Sequence, residues 1–204
     1  RWHAVHLVAG HDHRFGHKNA GTPELLKEKC AALGIGCDII PEVEIGGVTV
    51  SSTYIRRLVE MGQVERANRF LGHPHTLTGN VRHGRGLGSA RLFPTANLPV
   101  PPHVLVPSHG VYVTRVYFED GTSFPAVTNV GTRPTVNRGS DVTVEACLLD
   151  FQGDLYGQTL RLEFYKHLRD EIRFDSLDAL RAQIAADAET TRRYFQEELS
   201  PSEA

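Results

Sequence analysis

The chain has 204 residues, 22 Lys plus Arg against 24 Asp plus Glu, 40% apolar residues, 19 glycines and 11 prolines, an ordinary globular profile. No apolar run exceeds four residues, as in Cys30–Leu33 and Ala146–Leu149, whereas a bilayer-spanning helix needs about 20, so the reading is a soluble, cytoplasmic protein without a membrane partner. The net charge of −2 argues against a dedicated nucleic-acid binder, which carries a basic excess. Three cysteines, Cys30, Cys37 and Cys147, with no CxxC pair, favour buried thiols over a disulfide framework or a zinc site. The chain opens on Arg1 and reads at once like the interior of a fold, without the layout of a signal peptide.

Residues 4–9 read as a strand ending at Gly10. Thr22-Pro23-Glu24 opens a helix: Thr caps it, Pro fits the first turn and Glu suits its positive end. Leu25, Leu26, Cys30 and Leu33 form its apolar stripe, and Gly34 stops it. Cys37–Ile40 reads as the next strand. Ser51-Ser52-Thr53 caps a second helix carrying Ile55, Leu58, Val59 and Met61, followed by a short helix from Gln63 to Leu71. Strand–helix–strand–helix with short links predicts a partial Rossmann-like α/β region with a parallel sheet.

The texture changes after Gly72-His73-Pro74. From Thr76 to Phe164 short β-rich segments alternate with Gly, Pro and Asp. Val111–Phe118 and Ser123–Val130 flank Asp120-Gly121, a hairpin signal. Val142–Leu149 alternates, with Val142, Val144, Ala146 and Leu148 on one face, and Thr159–Tyr165 alternates too. This pattern predicts a small antiparallel β-barrel. Ser176 then caps a helix with Leu177, Leu180, Ile184 and Ala188 on one side, running to about Phe195. The fold class is therefore α+β overall, cut near residues 73–75 into regions 1–72 and 76–204.

The segment richest in candidate chemistry is Gly79–Asn97. Gly79, Gly84, Gly86 and Gly88 let backbone N–H groups approach phosphate oxygens, with Arg82, Arg85 and Arg91 adding positive charge; a flexible β-turn explains the same glycines equally well. In Pro94-Thr95-Ala96-Asn97 the Thr hydroxyl and Asn carboxamide oxygen are hard ligands suited to Mg²⁺, and their spacing of two puts both on one face of an extended segment. A capped turn is the plain alternative. Ser51, Ser52 and Thr53 sit at a helix start where N–H groups and hydroxyls attract phosphate, with Arg56 one turn on; an ordinary capped helix is the competing reading. Glu145 lies opposite Val144 and Ala146 on the face shared with Thr143 and Cys147, and from spacing alone is most simply a solvent-facing carboxylate. His3, His6, His11, His13 and His17 cluster without metal-ligand spacing.

The ordered blocks Gly79-x-Val81-x-x-Gly84, Phe93-Pro94-Thr95-Ala96-Asn97, Gly110-Val111-Tyr112, Asn129–Thr135, Glu145–Phe151, Asp154–Gly157 and Leu168–Leu177 resemble riboflavin kinase across residues 76–195. Gly10–Gly16 and Val50-Ser51-Ser52-Thr53-x-Ile55-Arg56 resemble the later part of the bacterial FMN adenylyltransferase domain that precedes riboflavin kinase in bifunctional FAD synthetases.

The resemblance implies a kinase that transfers the γ-phosphate of ATP to the ribityl 5′-hydroxyl of riboflavin, giving FMN and ADP. It implies Glu145 as the base and Thr95 and Asn97 as Mg²⁺ ligands. Gly79, Gly84, Gly86, Gly88, Pro94 and Arg133 (in a loop beside Pro134) fall to the ATP side, although a structural role for Arg133 is as plausible. Arg169, Glu171 and Phe174 fall to the flavin side, where an aromatic ring stacks on isoalloxazine; by pattern alone Phe174 is a core residue. Ser51, Ser52, Thr53 and Arg56 would be the nucleotide motif of the adenylyltransferase. That domain's opening strand and H-x-G-H turn have no counterpart here, Leu92 and Ser89 replace the kinase family's usual Gly and Arg, and His13 replaces the adenylyltransferase's usual Phe. FAD formation is therefore expected to be weak or lost. The alternatives are a full FAD synthetase that also adenylylates FMN, and a non-catalytic flavin- or nucleic-acid-binding barrel.

Overall fold

The computed structural model describes residues 3–82, 93–101, 103–135 and 139–199, with the side chains of 133–135, 139–141, 198 and 199 left out. The chain packs as two units, Arg1–Ser51 and Ser52–Ala204.

In the first unit, β1 (His6–Gly10) leads through a short 3₁₀ turn to α1 (Pro23–Ala32) and β2 (Gly36–Ile40). β1 and β2 pair in parallel, His6 opposite Gly36 and Gly10 opposite Ile40, the strand–helix–strand arrangement expected of the α/β region. Thr22 caps α1 by accepting from the Leu25 N–H at 3.3 Å. Cys30 is buried, but Leu33, expected in the apolar stripe, is 72% exposed; it is the residue after the last helical turn and faces solvent. The thiol of Cys30 is pushed up by burial and by a bond from Cys37. Cys37 and Cys147 are only half-buried, a correction to the expectation of buried thiols. A two-residue hairpin, β3 (Glu44–Ile45) and β4 (Val48–Thr49), turns on Gly46-Gly47 and went unread in the sequence.

The second unit begins with α2 (Ser52–Glu60) and α3 (Val64–Leu71). Its strands are β5 (His75–Asn80), β6 (Thr95–Pro99), β7 (Gly110–Tyr117), β8 (Ser123–Thr135), β9 (Gly139–Leu148) and β10 (Thr159–Arg169), and α4 (Leu177–Leu199) closes the chain. The six strands form one antiparallel sheet in the order β5-β10-β7-β8-β9-β6. It curls until its ends approach, and among the described residues a bridge between Arg82 and Asn97 joins them (Arg82 N–H to Asn97 O, 3.0 Å). Arg133, expected in a loop, lies within β8 opposite Asp141, because the β8–β9 hairpin runs further than its hydrophobic alternation suggested.

Alternation along each strand sorts the sheet into two faces. Leu77, Ala96, Leu98, Tyr112, Val116, Ala126, Val130, Val144, Ala146, Leu148, Leu160, Leu162 and Phe164 form the interior with Val64 of α3. Each large side chain there contributes about 1.5–3 kcal/mol through apolar burial. Two buried hydroxyls inside are satisfied: Thr114 Oγ1 donates to Ala126 O at 2.9 Å and shares a 2.7 Å bond with Thr128. Val142, placed on the inner face by its spacing, stands 36% exposed at the barrel rim.

The outer face is covered by α4, which is longer than expected. Ser176 caps it, accepting from Ala179 N–H at 3.1 Å. Its inward side is Leu180, Ile184, Asp187, Ala188, Thr191 and Phe195, while Leu177 is 58% exposed and falls off the stripe. No helix among the described residues is long and apolar enough to cross a membrane.

α3 packs against β10 and β5, and α2 packs on α3. Asn68 of α3 donates to Phe164 O and accepts from the His75 N–H, both at 2.8 Å, so one carboxamide ties the helix to two strands. The turn between the helices needs Gly62, at φ +73°, because a Cβ there would collide with the Ser108 and Tyr112 hydroxyls.

His75 Nε2 bonds Leu105 O at 2.9 Å beside the Phe164 ring. Burial pushes its pKa down, against the opposing pull of that carbonyl. The folded state therefore binds this proton less readily than the unfolded chain, and stability falls as pH drops below about 6.5. Thermal unfolding of His75→Gln should lose less melting temperature between about pH 7.5 and about pH 5.5 than the parent protein does. An equal loss in both would remove His75 from the acid sensitivity.

Candidate active site

One row of paired residues crosses five strands on the outer face of the barrel. Asn97 of β6 stands opposite Glu145 of β9, Glu145 opposite Asn129 of β8, Asn129 opposite Val111 of β7, and Val111 opposite Arg169 of β10. Directly opposed residues have Cβ atoms about 4.5–5.5 Å apart, so the row assembles a carboxylate, two carboxamides and a guanidinium from strands distant in sequence. The adjacent row brings Thr95, Cys147 and Val127 together.

All of these residues except Asn97 line a cavity of about 340 Å³. Its floor is Thr95, Val111, Val127, Asn129, Glu145 and Cys147. One wall is Arg169, Glu171, Ile172 and Phe174, from the end of β10 and the segment after it. The other wall is Leu180, Ile184 and Asp187 of α4. The cleft is apolar at Leu180 and Ile184 on the helix side and carries a few convergent polar groups, Asp187 among them, the usual make-up of a small-molecule site.

Two polar clusters fix its shape. Asn129 Nδ2 donates to Glu171 Oε1 at 3.2 Å. Glu171 also lies against Gly131, where an added Cβ would meet Oε1 at 2.5 Å. On the other side Arg169 donates from Nε to both Asp187 oxygens at 3.3 and 3.2 Å, and from a terminal nitrogen to Oδ2 at 2.8 Å. Asp187 is 6% exposed and accepts a further bond from Gln183 Nε2 at 2.9 Å. Thr95 Oγ1 donates to Phe93 O at 3.3 Å and lies 3.5 Å from Cys147 Sγ.

Of the residues singled out in the sequence, the structure brings Thr95, Glu145, Arg169, Glu171 and Phe174 into this one cavity. Glu145 is half-buried rather than solvent-facing. Asn97 shares the face of Thr95, with Ala96 and Leu98 turned inward, and Pro94 precedes them, its carbonyl accepting from the Leu148 N–H at 2.9 Å. Gly79 sits in β5 opposite Leu160, where a Cβ would make only ordinary contacts, so its backbone needs no special freedom. Gly84, Gly86 and Gly88, with Arg85 and Arg91, lie outside the described residues, as does the side chain of Arg133. Ser51 is the last residue of the first unit. Ser52, Thr53 and Arg56 are exposed in the first turns of α2.

The sequence pattern marks Leu180 and Ile184 only as the apolar stripe of the terminal helix and Cys147 only as a thiol, and does not mark Asp187 or Ile172 at all. Asp187 carried one available signal: an acidic residue beside Ala188, on the apolar stripe of a helix, must be paired if buried.

Thr95 and Asn97 offer two neutral hard oxygens next to the Glu145 carboxylate. That donor set suits a Mg²⁺ ion whose remaining ligands are phosphate and water, rather than a metal caged by protein alone. Among the described residues no group of three or more His, Cys, Asp or Glu is placed to hold an ion.

Residues 71–195 match the family described as riboflavin kinase, and residues 1–54 match the one described as FAD synthetase. The chain belongs to the riboflavin kinase family. It is 41% identical over 191 residues to the bifunctional riboflavin kinase/FMN adenylyltransferase of Escherichia coli K12, covering 93% of this chain and 60% of that protein. To the enzyme of the same name from Pseudomonas fluorescens it is 38% identical over 187 residues, covering 92% and 60%. A crystal structure titled "Macrolide-efflux Protein" from Streptococcus pneumoniae superposes with a TM-score of 0.82 at 35% identity, over 93% of this chain and 60% of that one. The chain thus spans about 60% of the length of these relatives.

Gly131→Ala tests the packing at the cavity base. Its φ is not in the left-handed region, so the chain should still fold, but the new methyl should displace the Glu171 carboxylate and break its bond to Asn129. A crystal structure of the variant with Glu171 unmoved would contradict this.

Proposed function

We propose that the chain catalyses transfer of the γ-phosphate of ATP to the ribityl 5′-hydroxyl of riboflavin, yielding FMN and ADP. The observation that carries the reading is Glu145, paired between Asn97 and Asn129 in the cross-strand row and lining, with Asn129, a cavity of about 340 Å³. The apolar helix side and the Phe174 ring suit the flat isoalloxazine. The polar base receives the ribityl chain, whose hydroxyls match the carboxamide and carboxylate groups found there.

Phosphoryl transfer asks little covalent chemistry of a protein; positioning and charge stabilisation dominate. Glu145 accepts the proton of the 5′-hydroxyl as its oxygen attacks phosphorus and the bond to ADP breaks. Thr95 and Asn97 would hold Mg²⁺, which when bound neutralises charge on the phosphates. The glycine segment around Gly84, Gly86 and Gly88, with Pro94 and Arg133, takes the ATP side, and Arg169, Glu171 and Phe174 take the flavin side.

We assign residues 76–204 to the kinase and residues 1–72 to the later part of an FMN adenylyltransferase region, with Ser51, Ser52, Thr53 and Arg56 as its nucleotide motif. The ligands are small molecules, and the near-balanced charge gives the chain no basic excess for non-specific attraction to nucleic acid or anionic membrane surfaces.

Glu145→Gln should lower riboflavin-dependent ADP release by about 100- to 10,000-fold while leaving riboflavin binding, read by flavin fluorescence, within a few-fold of the parent. Turnover close to that of the parent would remove Glu145 from the role of base.

A further inference from the structure

We propose that Asp187 of α4 is a positioning residue that acts through Arg169 to hold the Glu171–Phe174 wall and thereby sets the affinity for the flavin ring. The inference rests on the kinase reading above and assigns a role to a helix residue that holds Arg169 of β10 by three hydrogen bonds.

A carboxylate at 6% exposure is costly unless its charge is matched. Asp187 is matched on both oxygens: Oδ1 accepts from Gln183 Nε2 and from Arg169 Nε, and Oδ2 accepts from Arg169 Nε and from its terminal nitrogen. This side-on, two-oxygen contact fixes the plane of the guanidinium as well as its place. The other edge of the same guanidinium is then committed: it donates to Asp170 O at 3.0 Å, and its Cζ lies 6.0 Å from the centre of the Phe174 ring. One planar group therefore reads the orientation of α4 on one edge and grips the chain leaving β10 on the other. Glu171, Ile172 and Phe174, which form the cavity wall, follow directly after the gripped carbonyl.

The arrangement is not a by-product of regular pairing. β10 carries register shifts between Phe164 and Lys166 and between His167 and Arg169. Continuing the register of Phe164 opposite Thr114 would put His167 opposite Val111. The two irregularities advance the strand and bring Arg169 there instead, within reach of Asp187. Arg169 is thus spent on holding the wall, its charge already balanced, and the flavin meets a wall of fixed shape.

The test is steady-state kinetics of Asp187→Asn, with thermal unfolding of the same preparation. Asn keeps the shape and removes the charge that holds the guanidinium plane. The expected result is a riboflavin KM raised about tenfold, with kcat within about threefold and the KM for ATP unchanged. Arg169→Gln should raise riboflavin KM as well, and the double variant should be no worse than the poorer single, because both act through one contact. A riboflavin KM equal to that of an active parent overturns the proposal. So does a parallel fall of kcat and both affinities together with the melting temperature, which is the signature of a merely structural pair. Should Asp187→Asn fail to fold, Asp187→Glu keeps the charge while shifting the oxygens by one methylene, and it must raise riboflavin KM alone; an unchanged value overturns the proposal equally. Absence of riboflavin-dependent ADP release in the parent protein itself would instead refute the kinase reading on which the inference stands.

Discussion

Cross-strand register is the constraint on which the rest of the molecule depends. Because side chains alternate along a strand, the interior packing of Val144, Ala146 and Leu148 forces Glu145 and Cys147 outward. The same rule on β6 turns Ala96 and Leu98 in and Thr95 and Asn97 out. Pairing then aligns the outward residues in rows, so that Asn97, Glu145 and Asn129 meet without any of them being near another in sequence. A one-residue slip of β9 would bury Glu145 and expose Ala146, losing core and site together. Stability and chemistry are therefore specified by one set of hydrogen bonds.

The outer face of a closed barrel is ordinarily a solvent face, and a cavity exists here because α4 lies across it. The helix supplies Leu180 and Ile184 to the cavity, Ala188 to the cluster with Val111, Val127 and Leu149, and Asp187 to Arg169. Further along, Arg192 pairs with Asp150 at 2.8 Å, holding the Asp150 carboxyl below the usual range, and Phe195 lies under the Arg115 guanidinium at 4.3 Å. The partly exposed Arg192 contact adds little to stability in water. With the apolar stripe, these contacts spread the attachment of α4 over its length, so the cavity wall is anchored well beyond the site itself.

Much of this was legible in the chain. The Thr22 and Ser176 caps, the parallel β1–α1–β2 unit and the Asp120-Gly121 hairpin follow from local chemistry, and the alternation in 142–149 assigned Glu145 to the face opposite the core. What local patterns could not show was non-local. Nothing in the sequence around Arg169 reports the two irregularities in β10 that carry it opposite Val111. Nothing around Asn129 announces that Glu171, 42 residues on, will accept its amide proton. The Arg133 segment read as a loop because Pro134 interrupts the alternation, whereas the hairpin partner continues the pairing past it. Leu33 and Leu177 read as core because each helical stripe was extended one residue past the end that packs.

The account is tested most directly by the products of one reaction. Incubation of the purified chain with riboflavin and Mg-ATP, followed by chromatographic separation of the flavins, should show FMN accumulating in step with ADP. Riboflavin consumed without FMN, or no consumption although riboflavin binds, would contradict the assignment of the Glu145 cavity to phosphoryl transfer.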